Sequence, residues 1–450
     1  MNLDLDFLLS PVGIALSLGA VTLLVMLVVS LRNSLFILGA MLFVGALAVP
    51  AEASKDYAST VTWLMPLQVQ RSLIYLGCGA LLTLGLLVHI GRVRVASFTG
   101  TGILLLFVAG YAGLMTFYHS TMLDGAQTVI SALLTIGSLS ILLPSLLNTL
   151  DDFYRLLRVI VFVSVFYTGA VVVQLLLNRT PLIVPNAFRF QGISGNPQFV
   201  AVFLAVVVTT TVFLIMNDTQ KRYKLLYVAL TSLNVVLLIW TGSRTGALMS
   251  VIGLTAVLYT RLGRGVLVAP FVVVGVSVMM QMLTAAGVNI GLDRLTSTED
   301  TRSHVWRVMI DLATQNPVFG VGVRGVAAAE NSFLLATASY GFGSFFTLLL
   351  LAIGSAVQCV RLLGVRFRGD TTTNRFADLQ IGFFLMYFAG SMFEGFIIAR
   401  ISVMLPIYLI FSAITSRLIE IDKQARMERS LVEDYADGGG LFTEPAEETA

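Results

Sequence analysis

The side chains able to handle a charged substrate gather in two polar stretches. The first is the turn TGSRTG at residues 241–246, which sets Arg244 among small neighbours. Flanking glycines let backbone and ligand approach closely, and Thr241, Ser243 and Thr245 add hydroxyl donors. The second stretch, residues 289–335, holds Arg294, Arg302, Arg307, Arg324 and His304, with acids at Asp293, Glu299, Asp300, Asp311 and Glu330. Arginine's planar fork stays charged at working pH and matches phosphate oxygens. At a membrane surface such a cluster suits a lipid diphosphate.

Each candidate has a structural alternative. Residues 301–316 read as a short amphipathic helix with Thr301 as its cap and Val305, Val308, Met309 and Leu312 on one face. Arg307 and Asp311 then stand i, i+4 and suit an ion pair. Arg302 stands at the helix start, where the dipole gives a cation no reason to be, so it is the better ligand candidate. His304 is either a base or a surface polar group. Glu330, followed by Asn331, is either a general base raised by desolvation or an acid complementing a helix start. FGVGVRG, residues 319–325, reads as a flexible glycine loop and lacks the setting of a nucleotide-binding fingerprint.

The elements that must position these residues are membrane spans. The chain is 57% hydrophobic and only 12% charged, about half the charge of a soluble domain. Runs of about 20 apolar residues recur. The fold class is therefore all-α, a polytopic integral membrane protein with about 12–13 transmembrane helices. The spans fall near residues 8–31, 34–50, 72–90, 101–118, 126–147, 159–177, 199–216, 225–240, 247–259, 265–283, 333–360, 379–393 and 401–414. The eleventh is long enough to start inside the polar insert. The acidic start MNLDLDF and long first apolar run read as a permanent span, not a secretory signal. Cys78 and Cys359 read as small core residues. Residues 1–420 form the membrane domain, with an outer loop at about 286–335, and residues 421–450 read as a disordered tail.

The loops sort into two alternating sets. One holds Arg32, Arg92, Arg94, Arg155, Arg158, Lys221, Arg222, Lys224, Arg261, Arg264, Arg361, Arg366, Arg368, Arg375, Arg417, Lys423, Arg426 and Arg429. The smaller set holds Lys55, Arg71, Arg179, Arg189, Arg244, Arg294, Arg302, Arg307, Arg324 and Arg400. The larger set should face the cytoplasm. The N-terminus is then outside and the C-terminus inside. The net charge of +3 is too small to suggest nucleic acid.

The order of four segments resembles the superfamily of O-antigen ligases and Wzy-type polysaccharide polymerases. They are ISGNPQFVAVFLAV from Ile193, LLIWTGSRTGALMS from Leu237, TRSHVWRVMIDLATQNPVFGVGVRG from Thr301 and ENSFLLATASYGFGSFF from Glu330. The family pattern falls on Ser243 with Arg244, Arg302 with Trp306, Pro317 with Gly320 and Gly322, and Glu330 with Asn331. The resemblance implies inverting glycosyl transfer at the periplasmic face of the bacterial inner membrane, with no metal or cofactor. The donor would be a glycan on undecaprenyl diphosphate. Arg244 and Arg302 would hold the diphosphate as it leaves, and Glu330 would be the base. Arg189, Ser243, His304, Arg307, Arg324 and Asn331 would complete the substrate site.

Family ligases that use lipid A core carry histidine where this chain has Glu330, so the departure leans toward a polymerase. A flippase and a chain-length regulator are the implied protein partners. Two rival readings stand. A transporter or flippase would bind the same diphosphate, but would carry charge within its spans, and none of these spans has an acid near mid-membrane. A cell-shape transglycosylase would depend on an outer-loop aspartate, for which Asp293, Asp300 and Asp311 are available.

Overall fold

The computed structural model describes residues 33–47, 63–90, 100–119, 122–184, 189–263, 302–322, 325–326, 330–368, 370–397 and 402–438. These residues form fourteen α-helices. The one β pairing among them is an isolated bridge between Ile183 and Phe190. In chain order the helices are α1 Ser34–Ala46, α2 Met65–Val69, α3 Arg71–Ile90, α4 Gly100–His119, α5 Met122–Gly137, α6 Leu150–Leu177 and α7 Pro197–Asn217. There follow α8 Lys224–Trp240, α9 Arg244–Leu262, α10 Arg302–Gln315, α11 Ser332–Tyr340, α12 Phe342–Arg368, α13 Thr371–Ser391 and α14 Met404–Gly438.

Eight helical stretches among the described residues are long and apolar enough to cross a membrane, and α1 and most of α9 are shorter apolar helices. The expected first and tenth spans lie outside the described residues. Local sequence sets where several helices begin. Thr149 and Asp152 form a capping box at the start of α6. Asn196 accepts from Gln198 N and Phe199 N before Pro197 opens α7.

α7 lies at the centre, with Val200 to Thr211 buried on every side. A helix apolar all round belongs in the interior of a bundle. Its hydroxyls do not break it, because Thr209 and Thr211 donate one turn back to Ala205 O and Val207 O. α9 packs between α7 and α13 at backbone-close range. A Cβ on Gly246 would stand 2.6 Å from Ala201 Cβ and 3.0 Å from Leu238 Cδ1. Small residues permit such approach in membrane bundles. Gly246→Val should therefore lower stability by about 1–3 kcal/mol through overpacking, read as a lower melting temperature in detergent. An unchanged melting temperature would show that α9 can step away from α7.

Long-range hydrogen bonds sort the loops onto two ends. At one end Arg158 donates from Nε and Nη2 to Asp218 at 2.9 Å each. Arg375 Nη1 reaches Asn217 Oδ1 at 3.1 Å, and Arg417 Nε reaches Leu147 O at 2.8 Å. At the other end Arg71 reaches Leu47 O, Gln68 reaches Ile193 O, and Asn331 reaches Met392 O. Where the loops are described, these two ends coincide with the two charge sets read from the sequence.

Asp218, just past α7, is enclosed by Arg158, Tyr227 and Gln220 N. Burial raises the pKa of its carboxyl, but these donors outweigh burial and hold it below the ordinary carboxylate range. A depressed folded pKa gives stability that is full above the unfolded value and is lost as pH falls through the folded one. Asp218→Asn should cost about 3 kcal/mol at neutral pH, because Arg158 is left half-paired. The loss should shrink in acid. Melting curves at pH 7 and below pH 4 test this, and a loss of equal size at both would show that the charge of Asp218 is irrelevant.

Three differences from the sequence reading stand out among the described residues. The eleventh span does not start at Phe333. The helix breaks at Gly341, whose φ of +84° suits glycine alone, and a Cβ there would strike Val318 O. The described start of the glycine loop, residues 319–322, is tied to its neighbours by hydrogen bonds. Val321 N and Gly322 N donate to Ala338 O and Ser339 O, and Phe342 N donates to Pro317 O. Tyr111 of α4 donates to Val318 O at 3.0 Å and Tyr340 O at 2.9 Å, and His119 Nε2 donates to Phe319 O at 2.8 Å. Finally, α14 stays helical to Gly438, so residues 421–438 of the expected disordered tail are helical.

Candidate functional site

The TGSRTG turn is built to start a helix. α8 ends at Trp240, and Gly242 turns the chain with φ +60°. Ser243 then caps α9, its hydroxyl accepting from Gly246 N. Arg244 becomes the first residue of α9 and Thr245 the second. Arg244 is half-buried and Ser243 is buried. Arg189 is buried behind the turn, with its Nε donating to Thr241 O at 2.8 Å. Next to it Phe190 N donates to Trp240 O, and the Phe190 and Trp240 rings stack at 5.3 Å. Arg189 and Ser243 therefore shape the turn that presents Arg244.

α10 lies on α11 through Met309 against Leu335 and Ala338, with Trp306 and Leu312 beside them. That contact decides which face of α10 turns inward. Arg302 stands on the inner face, and its Nη2 donates to Glu394 Oε1 at 3.0 Å and Thr245 Oγ1 at 3.1 Å. Its guanidinium also lies over the Phe393 ring at 5.1 Å. His304 and Arg307 are exposed on the opposite face. The expected Arg307–Asp311 ion pair is not formed among the described residues. Arg324 and the expected cap Thr301 lie outside the described residues.

α11 starts with Asn331 as its cap, Oδ1 accepting from Phe333 N and Leu334 N. The amide also donates to Met392 O at 2.9 Å. Ser332 Oγ donates to Glu394 O at 2.7 Å and accepts from Phe396 N at 3.1 Å. These bonds fasten the turn between α13 and α14 to the start of α11. Glu330 precedes the cap, half-buried, and its Oε2 is buried without a hydrogen-bond partner. Trp306 Nε1 on α10 is likewise buried and unpartnered. A buried acceptor and a buried donor left unused in this way each need an explanation.

Three helix starts thus converge, those of α9, α10 and α11. Helix N-termini present unpaired N–H groups and the positive end of the dipole, a setting that receives anions. Arg244 and Arg302 stand at two of these starts, with the charge of Arg302 offset by the Glu394 carboxylate. The sequence reading named both arginines but not Glu394, whose buried carboxylate accepts from Thr245 Oγ1 at 3.0 Å as well as from Arg302. Its only sequence signal is an acid in the short turn EGFIIAR between two apolar spans.

No curated protein sequence matches the chain. Residues 226–349 match the family model described as O-antigen ligase. The matched segment runs from α8 into α12 and contains Arg244, Arg302 and Glu330, whereas Glu394 lies beyond it. The converging helix starts and their arginines thus fall within the stretch that is similar to the O-antigen ligase family model, in a helical membrane protein.

Proposed function

We propose that the protein is a Wzy-type polymerase, a glycosyltransferase that joins undecaprenyl-diphosphate-linked repeat units at the periplasmic face of the inner membrane. The observation that carries this reading is the meeting of three helix starts bearing Arg244 and Arg302. The arginines bind the donor's diphosphate. Glu330 removes the proton from the acceptor hydroxyl, and the oxygen attacks the anomeric carbon from the side opposite the diphosphate. The glycosyl–phosphate C–O bond breaks with inversion, and undecaprenyl diphosphate departs with the electron pair. Charge grows on the leaving phosphate, and fixed cations stabilise it most in the transition state.

His304, Arg307 and Arg324 are assigned to the glycan rather than the diphosphate. Arg189, Ser243 and Asn331 serve the site by holding its backbone. The larger basic set at the opposite end supports a cytoplasmic position for that end, with the site facing out. The acceptor is a second lipid-linked repeat, since this chain has Glu330 where family ligases carry histidine.

The test incubates purified protein with undecaprenyl-diphosphate repeat units from its own host in EDTA. A ladder of longer lipid-linked chains is the expected product. Transfer that appears only when lipid A core is supplied would make the protein a ligase. Substrate movement across liposomes without transfer to either acceptor would sink the enzyme reading.

A further inference from the structure

Glu394 has no part in the chemistry above, yet it joins two of the elements that chemistry needs. We infer that Glu394 is a positioning residue, which holds Arg302 in the orientation that receives the donor's diphosphate. The inference rests on the diphosphate reading of the site.

The geometry ties three segments to one carboxylate oxygen. Oε1 accepts from Arg302 at the start of α10 and from Thr245 at the start of α9, each at 3.0 Å. Arg302 and Thr245 are themselves 3.1 Å apart, so the three groups close a triangle. Glu394 is buried, and its own backbone is fixed. Its carbonyl accepts from Ser332 Oγ, and Phe396 N returns a bond to the same hydroxyl. Phe393, one residue earlier, lies under the guanidinium. Arginine is long and has many rotamers, so fixing it beforehand reduces what binding must order.

The sign of the electrostatics makes the inference testable. A carboxylate beside an anion site repels the anion, so on charge alone its removal should tighten diphosphate binding. If Glu394 acts by geometry, its removal should weaken binding instead. Full-length protein in detergent would be titrated with undecaprenyl diphosphate, comparing wild type with Glu394→Ala, Arg302→Ala, Arg244→Ala and the Glu394→Ala/Arg302→Ala double variant. Glu394→Ala should weaken binding about tenfold although a negative charge is lost. The double variant should bind no worse than Arg302→Ala alone, since both act through one group.

Equal or tighter binding by Glu394→Ala, or losses that multiply in the double variant, would overturn the inference. If Glu394→Ala does not fold, Glu394→Gln replaces it. The glutamine keeps an acceptor for Thr245 and Arg302, so a fold-competent variant that loses transfer at unchanged affinity would assign Glu394 to the acceptor and overturn positioning. Should wild type and both arginine variants bind alike, the diphosphate reading itself falls. Weakening by Arg302→Ala but not by Glu394→Ala removes the positioning role alone.

Discussion

Arg302→Ala is expected to lower kcat for glycan transfer by about 10²–10³-fold, the cost of removing one fixed donor from a site where charge develops. The guanidinium stands at the start of α10, paired with Glu394 and Thr245. The substitution removes the cation that the leaving phosphate needs most when its bond is breaking. It also removes the cation that offsets the buried Glu394 carboxylate, whose charge would then repel the diphosphate further. Arg302→Lys should recover little, because a point charge lacks the planar fork. Arg307→Ala supplies the internal comparison. Arg307 is exposed on the opposite face of the same helix, so its loss should raise KM for the glycan with kcat nearly unchanged. Steady-state rates over a range of donor concentrations separate the two. Equal falls in kcat for both variants would mean that Arg302 has no privileged place.

The second large effect belongs to Glu330→Gln. A general base contributes about 10²–10⁴-fold, and glutamine preserves shape while removing the proton acceptor. The carboxylate stands half-buried before the Asn331 cap with one oxygen unpartnered, so the substitution breaks no bond involving that atom. Undecaprenyl diphosphate binding and the melting temperature should remain near wild type while single-turnover transfer collapses. A variant that transfers at the wild-type rate would move the base elsewhere. A variant that melts early would show Glu330 to be a support of α11 rather than a participant in the chemistry.

Much of the protein was legible in the residues themselves. Apolar runs of span length dictated the helical membrane class, because an unpaired backbone cannot stay in lipid. Caps such as Asn196 and Thr149 act on N–H groups two or three residues away, so they are written locally. The TGSRTG turn put Arg244 at a helix start for the same reason. Basic residues recurred in alternate loops, and the described loops assemble into two ends in the same order.

What the tertiary structure alone decided is how distant ends meet. Glu394 lies 92 residues from Arg302 and 149 from Thr245, and no periodicity links positions that far apart. The amphipathic pattern of α10 gave it an apolar face, but contact with α11 settled that Arg302 turns inward while Arg307 does not. The glycine loop looked mobile because its restraints come from Tyr111 and His119 on α4 and from the carbonyls of α11. The break at Gly341 depends on the Val318 carbonyl lying against it. Local sequence determines where a helix starts and which face is apolar, since those follow from neighbours within a turn. Which helix starts share a carboxylate follows from packing register across the whole bundle, a property that no single segment contains.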